Sequence, residues 1–399
     1  MNKPVFSITS LFKASLLLCL FAFTSGVFGQ MAPGNIVLST VGNGSSTLTN
    51  AGWRVNAQVI KQSDGSTLNN FTGPVNPSSG KKFCNSGTAT SEGALTLSLN
   101  GRYLTMVGYD ADSTNTGVAG TTSSTRNRVI ARVDSVGNYD VTTYTTSLYS
   151  ANNIRGGCSE DGNSFYVSGN GTSSSNAGVQ LFSLGSTSAT QVNSSIGNSG
   201  NVRWSEIFAS YDTSNATLTK GLYLSTGTGT AGIYQVGSGL PTSSSSGTAI
   251  ATPSSISPYA FLFLDASTSE AGLDLLYITN DGSNSNNIQK FYKSGGTWTA
   301  AGTHSIGAVR GISGYITATG RVKLFFTRGN TSTLQGRVIQ CWDNASYSST
   351  INLQNNSNKN LSTSNYNILF SFDSTKLAQR GIAFTPTSFN SQPSNSSVC

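Results

Sequence analysis

The chain has 399 residues, a length that suits one large β domain or two ordinary ones. Only 10% of residues are charged, against 36% apolar and 10% aromatic, which excludes a charge-driven disordered chain and a coiled coil. The net charge of +7 comes without a Lys/Arg run, so nucleic acid is not an expected partner, while 112 Ser and Thr with 44 Gly point to an exported β protein.

Residues 1–29 read as a signal peptide. Lys3 and Lys13 supply the positive start, Ala14 to Phe23 the apolar core, and Val27 and Gly29 the small positions before a cut near Gln30. That core is too short to span a bilayer, and no later stretch approaches eighteen apolar residues, so no membrane span is expected. Residues 30–399 are read as a single domain. Four cysteines remain in it, Cys84, Cys158, Cys341 and Cys399, and an even count in an oxidising compartment suggests two disulfides.

An internal repeat organises the rest of the chain. A short apolar run ending in Gly or Asp begins at Asn35, Arg102, Ser164, Gly221, Asp274 and Val322, six copies in all. Each is followed, after a polar loop, by an alternating run: Trp53 to Ile60, Arg128 to Val133, Gly178 to Leu184, Gly232 to Val236, Ile288 to Tyr292 and Arg337 to Trp342. A more variable polar strand usually comes third, as at Tyr139 to Tyr144 or Thr297 to Ser305. Alternation over five to eight residues, bounded by Gly, Asn and Ser, predicts strands.

A further piece recurs ahead of five of these runs, at Ser91-Glu-Gly-Ala, Ile154-Arg-Gly-Gly, Val202-Arg-Trp-Ser, Pro258-Tyr-Ala-Phe and Val309-Arg-Gly-Ile. The N-terminal unit lacks it, and a spare copy, Gln379-Arg-Gly-Ile, lies near the C-terminus. Spacings of 48 to 70 residues match four-strand blades. The expectation is an all-β, six-bladed β-propeller with four-stranded blades, its ring closed by the C-terminal strand joining the N-terminal blade. A two-sheet sandwich is the alternative, but it needs no six units in one internal order. The ring places disulfides at Cys84–Cys158 and Cys341–Cys399.

Inner strands of a propeller converge on its axis. Aligning the inner pieces puts Glu92, Arg155, Arg203, Tyr259, Arg310 and Arg380 at one level, with Gly93, Gly156, Gly311 and Gly381 following as crowding requires. With 16 acidic residues in the chain, the arginines are not expected all to find carboxylates, and clustered guanidiniums suit a carboxylate, phosphate or sulfate. The competing reading has them bond backbone carbonyls and plug the channel.

Other candidates carry less. Asp110 with Asp112, and Asp281, could ligate calcium, though Asx turns explain them more cheaply and no cofactor is expected. His304, the sole histidine, has no Cys or Asp partner in sequence and reads as a surface residue. Ten N-x-Ser/Thr sequons, at Asn43, Asn70, Asn170, Asn193, Asn215, Asn330, Asn344, Asn355, Asn360 and Asn395, are what this composition gives by chance, yet any on exposed loops could carry sugar.

The phrases Ser91-Glu-Gly-Ala-Leu-Thr-Leu-Ser, Gly101-Arg-Tyr-Leu-Thr, Asn153-Ile-Arg, Ser257-Pro-Tyr, Phe263-Leu-Asp and Arg380-Gly-Ile-Ala-Phe-Thr-Pro resemble an uncharacterised family of secreted, mainly bacterial, propeller-like repeat proteins. The resemblance implies the propeller and supplies no catalytic residue. The expected function is a secreted, monomeric extracellular binding or scaffolding protein with an acidic glycan or small anion at Arg155, Arg203, Arg310 and Arg380. Two alternatives stay open. One is a lyase, epimerase or hydrolase of an anionic sugar acid, with Glu92 or Tyr259 as proton carrier; the other is a purely structural matrix or adhesive protein.

Overall fold

A computed structural model describes residues 30–193, 196, 201–212, 217–253, 256–281, 287–328, 336–355, 357–362 and 367–388. The expected leader and Cys399 lie outside them. The described residues from Met31 onward form one compact unit.

The repeat runs become antiparallel strands. The first group is β1 (Ile36–Gly42), β2 (Gly52–Ile60) and β3 (Thr67–Thr72); the second is β4 (Cys84–Ser86), β5 (Thr96–Leu97), β6 (Leu104–Tyr109), β7 (Arg128–Val133) and β8 (Tyr139–Thr145). A third sheet holds β9 (Ile154–Cys158), β10 (Ser164–Gly169), β11 (Gly178–Ser183) and β12 (Ala189–Gln191) in sequential order. The fourth holds β13 (Val202–Asp212), β14 (Thr217–Thr226), β15 (Gly232–Val236) and β16 (Gly247–Ala251). The fifth holds β17 (Pro258–Leu264), β18 (Leu275–Asn280), β19 (Ile288–Ser294) and β20 (Thr297–His304). The sixth group is β21 (Val309–Ile316), β22 (Val322–Arg328), β23 (Gly336–Asp343), β24 (Leu353–Gln354) and β25 (Ile368–Phe372), and the last strand is β26 (Leu377–Phe384).

Four-stranded antiparallel sheets are thus the building unit. The first two groups are joined by β2–β4 pairing, and together with β26 they make one nine-stranded sheet. The spare C-terminal piece is β26, and it pairs antiparallel with β1, Ile36 opposite Phe384 and Gly42 opposite Leu377.

The sheets stack face to face. The strands β1, β6 and β18 are buried at every position, because each lies between two neighbouring sheets; this is why they read as continuous apolar runs rather than alternating ones. Outer strands such as β3 and β16 are largely exposed or half-buried and correspondingly polar. The apolar clusters fill the spaces between adjacent sheets, one of them running from Trp204 and Phe208 through Phe261 and Phe263 to Leu324 and Ile339. Along the innermost layer β5 lies against β9, β9 against β13, β13 against β17, β17 against β21, β21 against β26, and β26 against β5.

The expected Cys84–Cys158 disulfide is not formed. Both residues are free thiols, 1% exposed, and they pack in different inter-sheet clusters, Cys84 against Val107 and Tyr109, Cys158 against Tyr166 and Ile207. Each thiol donates within its own sheet, Cys84 Sγ to Tyr109 O (3.4 Å) and Cys158 Sγ to Tyr166 O (3.8 Å). Cys341 is likewise a buried free thiol in β23, and its expected partner Cys399 lies outside the described residues.

Candidate functional site

The backbone at the inner strands is irregular at one repeated place. Between Ile154 and Gly156 of β9, Val202 and Trp204 of β13, Pro258 and Phe261 of β17, Val309 and Ile312 of β21, and Gln379 and Ile382 of β26 the ladder register shifts. The residues that fall in these gaps are Arg155, Arg203, Tyr259 with Ala260, Arg310 with Gly311, and Arg380 with Gly381. A bulge bends the strand and re-aims the side chain it carries, so these five strands share one backbone device. Glu92, the sixth expected position, lies in the loop before β5.

The bulges free backbone groups that need partners. Hydroxyls from the second strand of each sheet supply them. Thr327 Oγ1 on β22 accepts from Gly311 N (2.9 Å) and donates to Arg380 O on the next inner strand (2.8 Å). Thr279 on β18 does the same between Ala260 N (3.0 Å) and Arg310 O (2.9 Å). Ser39 on β1 joins Gly381 N (2.8 Å) to Gly93 O (2.5 Å), and Ser225 on β14 donates to Tyr259 O. Sequence reading passed over these hydroxyls, although a Ser or Thr ends the apolar triplet in five of the six repeats. The exception is Gly108 on β6, where a Cβ would stand 2.3 Å from Cys84 O.

The charged groups converge on few carboxylates. Asp281 bridges two arginines, Oδ2 to Arg203 Nη2 (3.2 Å) and Oδ1 to Arg310 Nη2 (2.6 Å). Arg203 Nη1 also donates to Ser257 Oγ (2.8 Å) and Pro258 O (3.1 Å). Arg310 lies over the Tyr259 ring, 4.8 Å from its centroid. Arg380 Nη2 donates to Ser86 O (2.5 Å) and Gly87 O (3.2 Å), while its Nη1 stands 3.6 Å from Glu92 Oε2. Among the described residues Arg155 has no carboxylate partner; its Nη1 donates to Asn201 Oδ1 (2.5 Å), and its Nε is buried without a hydrogen bond. Burial lowers the pKa of Arg155, Arg203 and Arg380, with Arg203 adding to the effect at Arg155. The expectation from acid scarcity agrees with this among the described residues: three of the four arginines reach a carboxylate, because one aspartate serves two of them, and Arg155 does not.

Glu92 is 1% exposed and fully engaged. Its carboxylate accepts from Tyr109 OH (2.5 Å), Asn153 Nδ2 (2.6 Å) and Ser86 N (2.9 Å). Burial nonetheless pushes its pKa upward against Arg380 and these donors. Tyr259 is 3% exposed, packed against Trp204 and covered by Arg310.

The lesser candidates are separately occupied. Asp110 pairs with Lys81 (3.5 Å) and Asp112 with Lys82 (2.6 Å), and His304 Nε2 hydrogen-bonds with Leu361 O (3.0 Å) at the end of β20. Among the described residues no group of three or more His, Cys, Asp and Glu is placed to hold a metal ion, and no helix is long and apolar enough to cross a membrane. Asn193, one of the sequon asparagines, is buried with its Oδ1 accepting from Val179 N, which closes that position to sugar in the folded chain.

No family model and no curated protein matches the chain. Among solved structures it is similar to hydrazine synthase of Kuenenia stuttgartiensis, at 10% identity over 70% of this chain and 68% of that one, TM-score 0.38. It is similar also to the Dos1 propeller (10% identity, 66% and 62% covered, TM-score 0.36) and to the GH74 xyloglucanase of Xanthomonas campestris (11%, 88% and 43%, TM-score 0.35). The chain spans less than two thirds of the last two proteins. At TM-scores of 0.38 and below, blade number and chemistry rest on the chain's own geometry.

Proposed function

We propose that the chain is a secreted, monomeric six-bladed β-propeller whose axis binds an extracellular anion, a small one or the charged group of an acidic glycan. The cyclic adjacency of β5, β9, β13, β17, β21 and β26 supports the ring, with β26 on β1 as its closing pair. Gln62 Oε1 supports the same seam, accepting from Tyr315 OH and from Lys323 Nζ, both at 2.9 Å.

One observation carries the ligand class. Four arginines meet two carboxylates, Asp281 and Glu92, and buried positive charge in excess is costly unless an anion offsets it. Turnover has less support: both oxygens of Glu92 are already committed to donors. The plug reading draws on the bonds from Arg203 and Arg380 to backbone carbonyls.

Thermal unfolding against a panel of inorganic anions, sugar acids and sulfated oligosaccharides separates the two. Binding gives a saturable rise in Tm for one class, weakened by salt and lost in an Arg155→Gln/Arg310→Gln double variant. A flat panel leaves the arginines as channel filler and the protein as a scaffold.

A further inference from the structure

Thr90, Arg310, Arg328, Phe372, Ala378 and Arg380 line a cavity of about 20 Å³ beside the carboxylate-paired arginines. Two features set it apart from a void between side chains. Arg380, only 7% exposed, and Arg310 both reach its wall, and each has a buried Nη1 without a hydrogen-bond acceptor. The paired nitrogens are the opposite ones, Arg310 Nη2 on Asp281 and Arg380 Nη2 on Ser86 O, so the Nη1 donors are left over after the structural bonds are made. Glu92 does not remove the excess, since at 3.6 Å from Arg380 Nη1 it makes an ion pair and no hydrogen bond, and its carboxylate is spent on Tyr109, Asn153 and Ser86.

We infer that this cavity is a halide site, occupied by a chloride ion held between the guanidiniums of Arg310 and Arg380. The inference deepens the anion reading above and rests on it. A water needs roughly 10–15 Å³ of such space, so a cavity of about 20 Å³ has room for one small body such as a halide. Charge then selects between water and halide: two buried N–H donors on cations, against the single unpartnered acceptor Gln379 Oε1 among the lining residues, favour an anion over a neutral molecule. Phe372 and Ala378 close the apolar side, where a weakly hydrated ion such as chloride is desolvated more easily than fluoride.

The test uses the full purified protein in sodium methanesulfonate, whose anion is bulkier than a halide, with chloride or bromide substituted at constant ionic strength. Chloride should raise Tm saturably and broaden the ³⁵Cl resonance, and crystals grown in bromide should show an anomalous peak between Arg310 and Arg380. Arg310→Gln should weaken the apparent chloride affinity roughly tenfold or more, the loss of one charge-assisted bond; Arg310→Lys should restore part of it. Equal Tm in the two salts with no bromide peak in the cavity would overturn the halide site, and the crystal arm needs no variant to fold. Sugar acids run in the same chloride-free buffer keep the readings apart. Stabilisation by a sugar acid without a halide effect sinks the halide site alone, while halide binding without any sugar-acid effect supports it and reduces the axis to a structural ion site.

Discussion

At the scale of single residues, Asp281 holds the arginine cluster together. It is the shared counter-ion of Arg203 and Arg310, and its side chain is 23% exposed. Asp281→Asn should therefore cost on the order of 2 kcal/mol in urea unfolding, less than the roughly 3–5 kcal/mol of a fully buried broken pair. Glu206 on β13 makes a different prediction. Burial pushes its pKa up to about 8, against one hydrogen bond from Trp204 Nε1 (3.0 Å). An acid whose folded pKa is raised binds more protons in the folded chain than in the unfolded one, so stability falls as pH rises from the ordinary carboxylate range to about 8. Asp274, raised by burial to about 7, adds to the same slope. Glu206→Gln keeps an acceptor for Trp204, and it should flatten that slope and stabilise the protein at pH 8. Denaturant midpoints at pH 5 and pH 8 for both chains provide the check; parallel curves would remove Glu206 from the account.

At the scale of elements, the bulged inner strands depend on hydroxyls from their neighbours. Thr327→Val keeps the shape of the side chain and strands Gly311 N and Arg380 O, so it should cost about 1–3 kcal/mol by urea unfolding. The same substitution at Thr317, whose hydroxyl serves only the exposed turn at Arg321, should cost less and serves as the control. The strands themselves were legible in the sequence. Arg128 to Val133 and Gly232 to Val236 match β7 and β15 to the residue, since alternation between Gly, Asn and Ser turns leaves little choice of period. The β13–β14 hairpin was not read in full: the ladder continues to Asp212 opposite Thr217, past the apolar run that marked its start at Gly221. Its outer end is polar and exposed, so periodicity gave no signal there.

At the scale of the whole molecule, no covalent link joins the sheets among the described residues. Burial raises the pKa of the Cys84, Cys158 and Cys341 thiols, which makes them poor nucleophiles as well as inaccessible ones. In the native protein these three should resist iodoacetamide, and all three should alkylate in guanidinium without prior reduction. Alkylation of Cys84 and Cys158 only after reduction would restore the disulfide expected from the sequence. Even cysteine count and an exported composition suggested crosslinks, but pairing requires the two Cβ vectors to face each other. Here one thiol points into the cluster around Tyr109 and the other into the cluster around Tyr166.

By itself the sequence determined the all-β class, the strand runs, the four-strand unit and the return of Gln379 to Phe384 to the N-terminal strand. It could do so because period, turn residues and repeat order are local properties that survive in a linear reading. Alignment also found the arginine register, since the repeats preserve their internal order. Tertiary structure decided what the register means. The bulges at Arg155, Arg203, Tyr259, Arg310 and Arg380 depend on neighbouring sheets, and no side-chain pattern encodes them in one strand alone. Only the fold brings Asp281 between Arg203 and Arg310, residues 78 and 29 positions away in the chain, and so fixes which guanidinium nitrogens are paired.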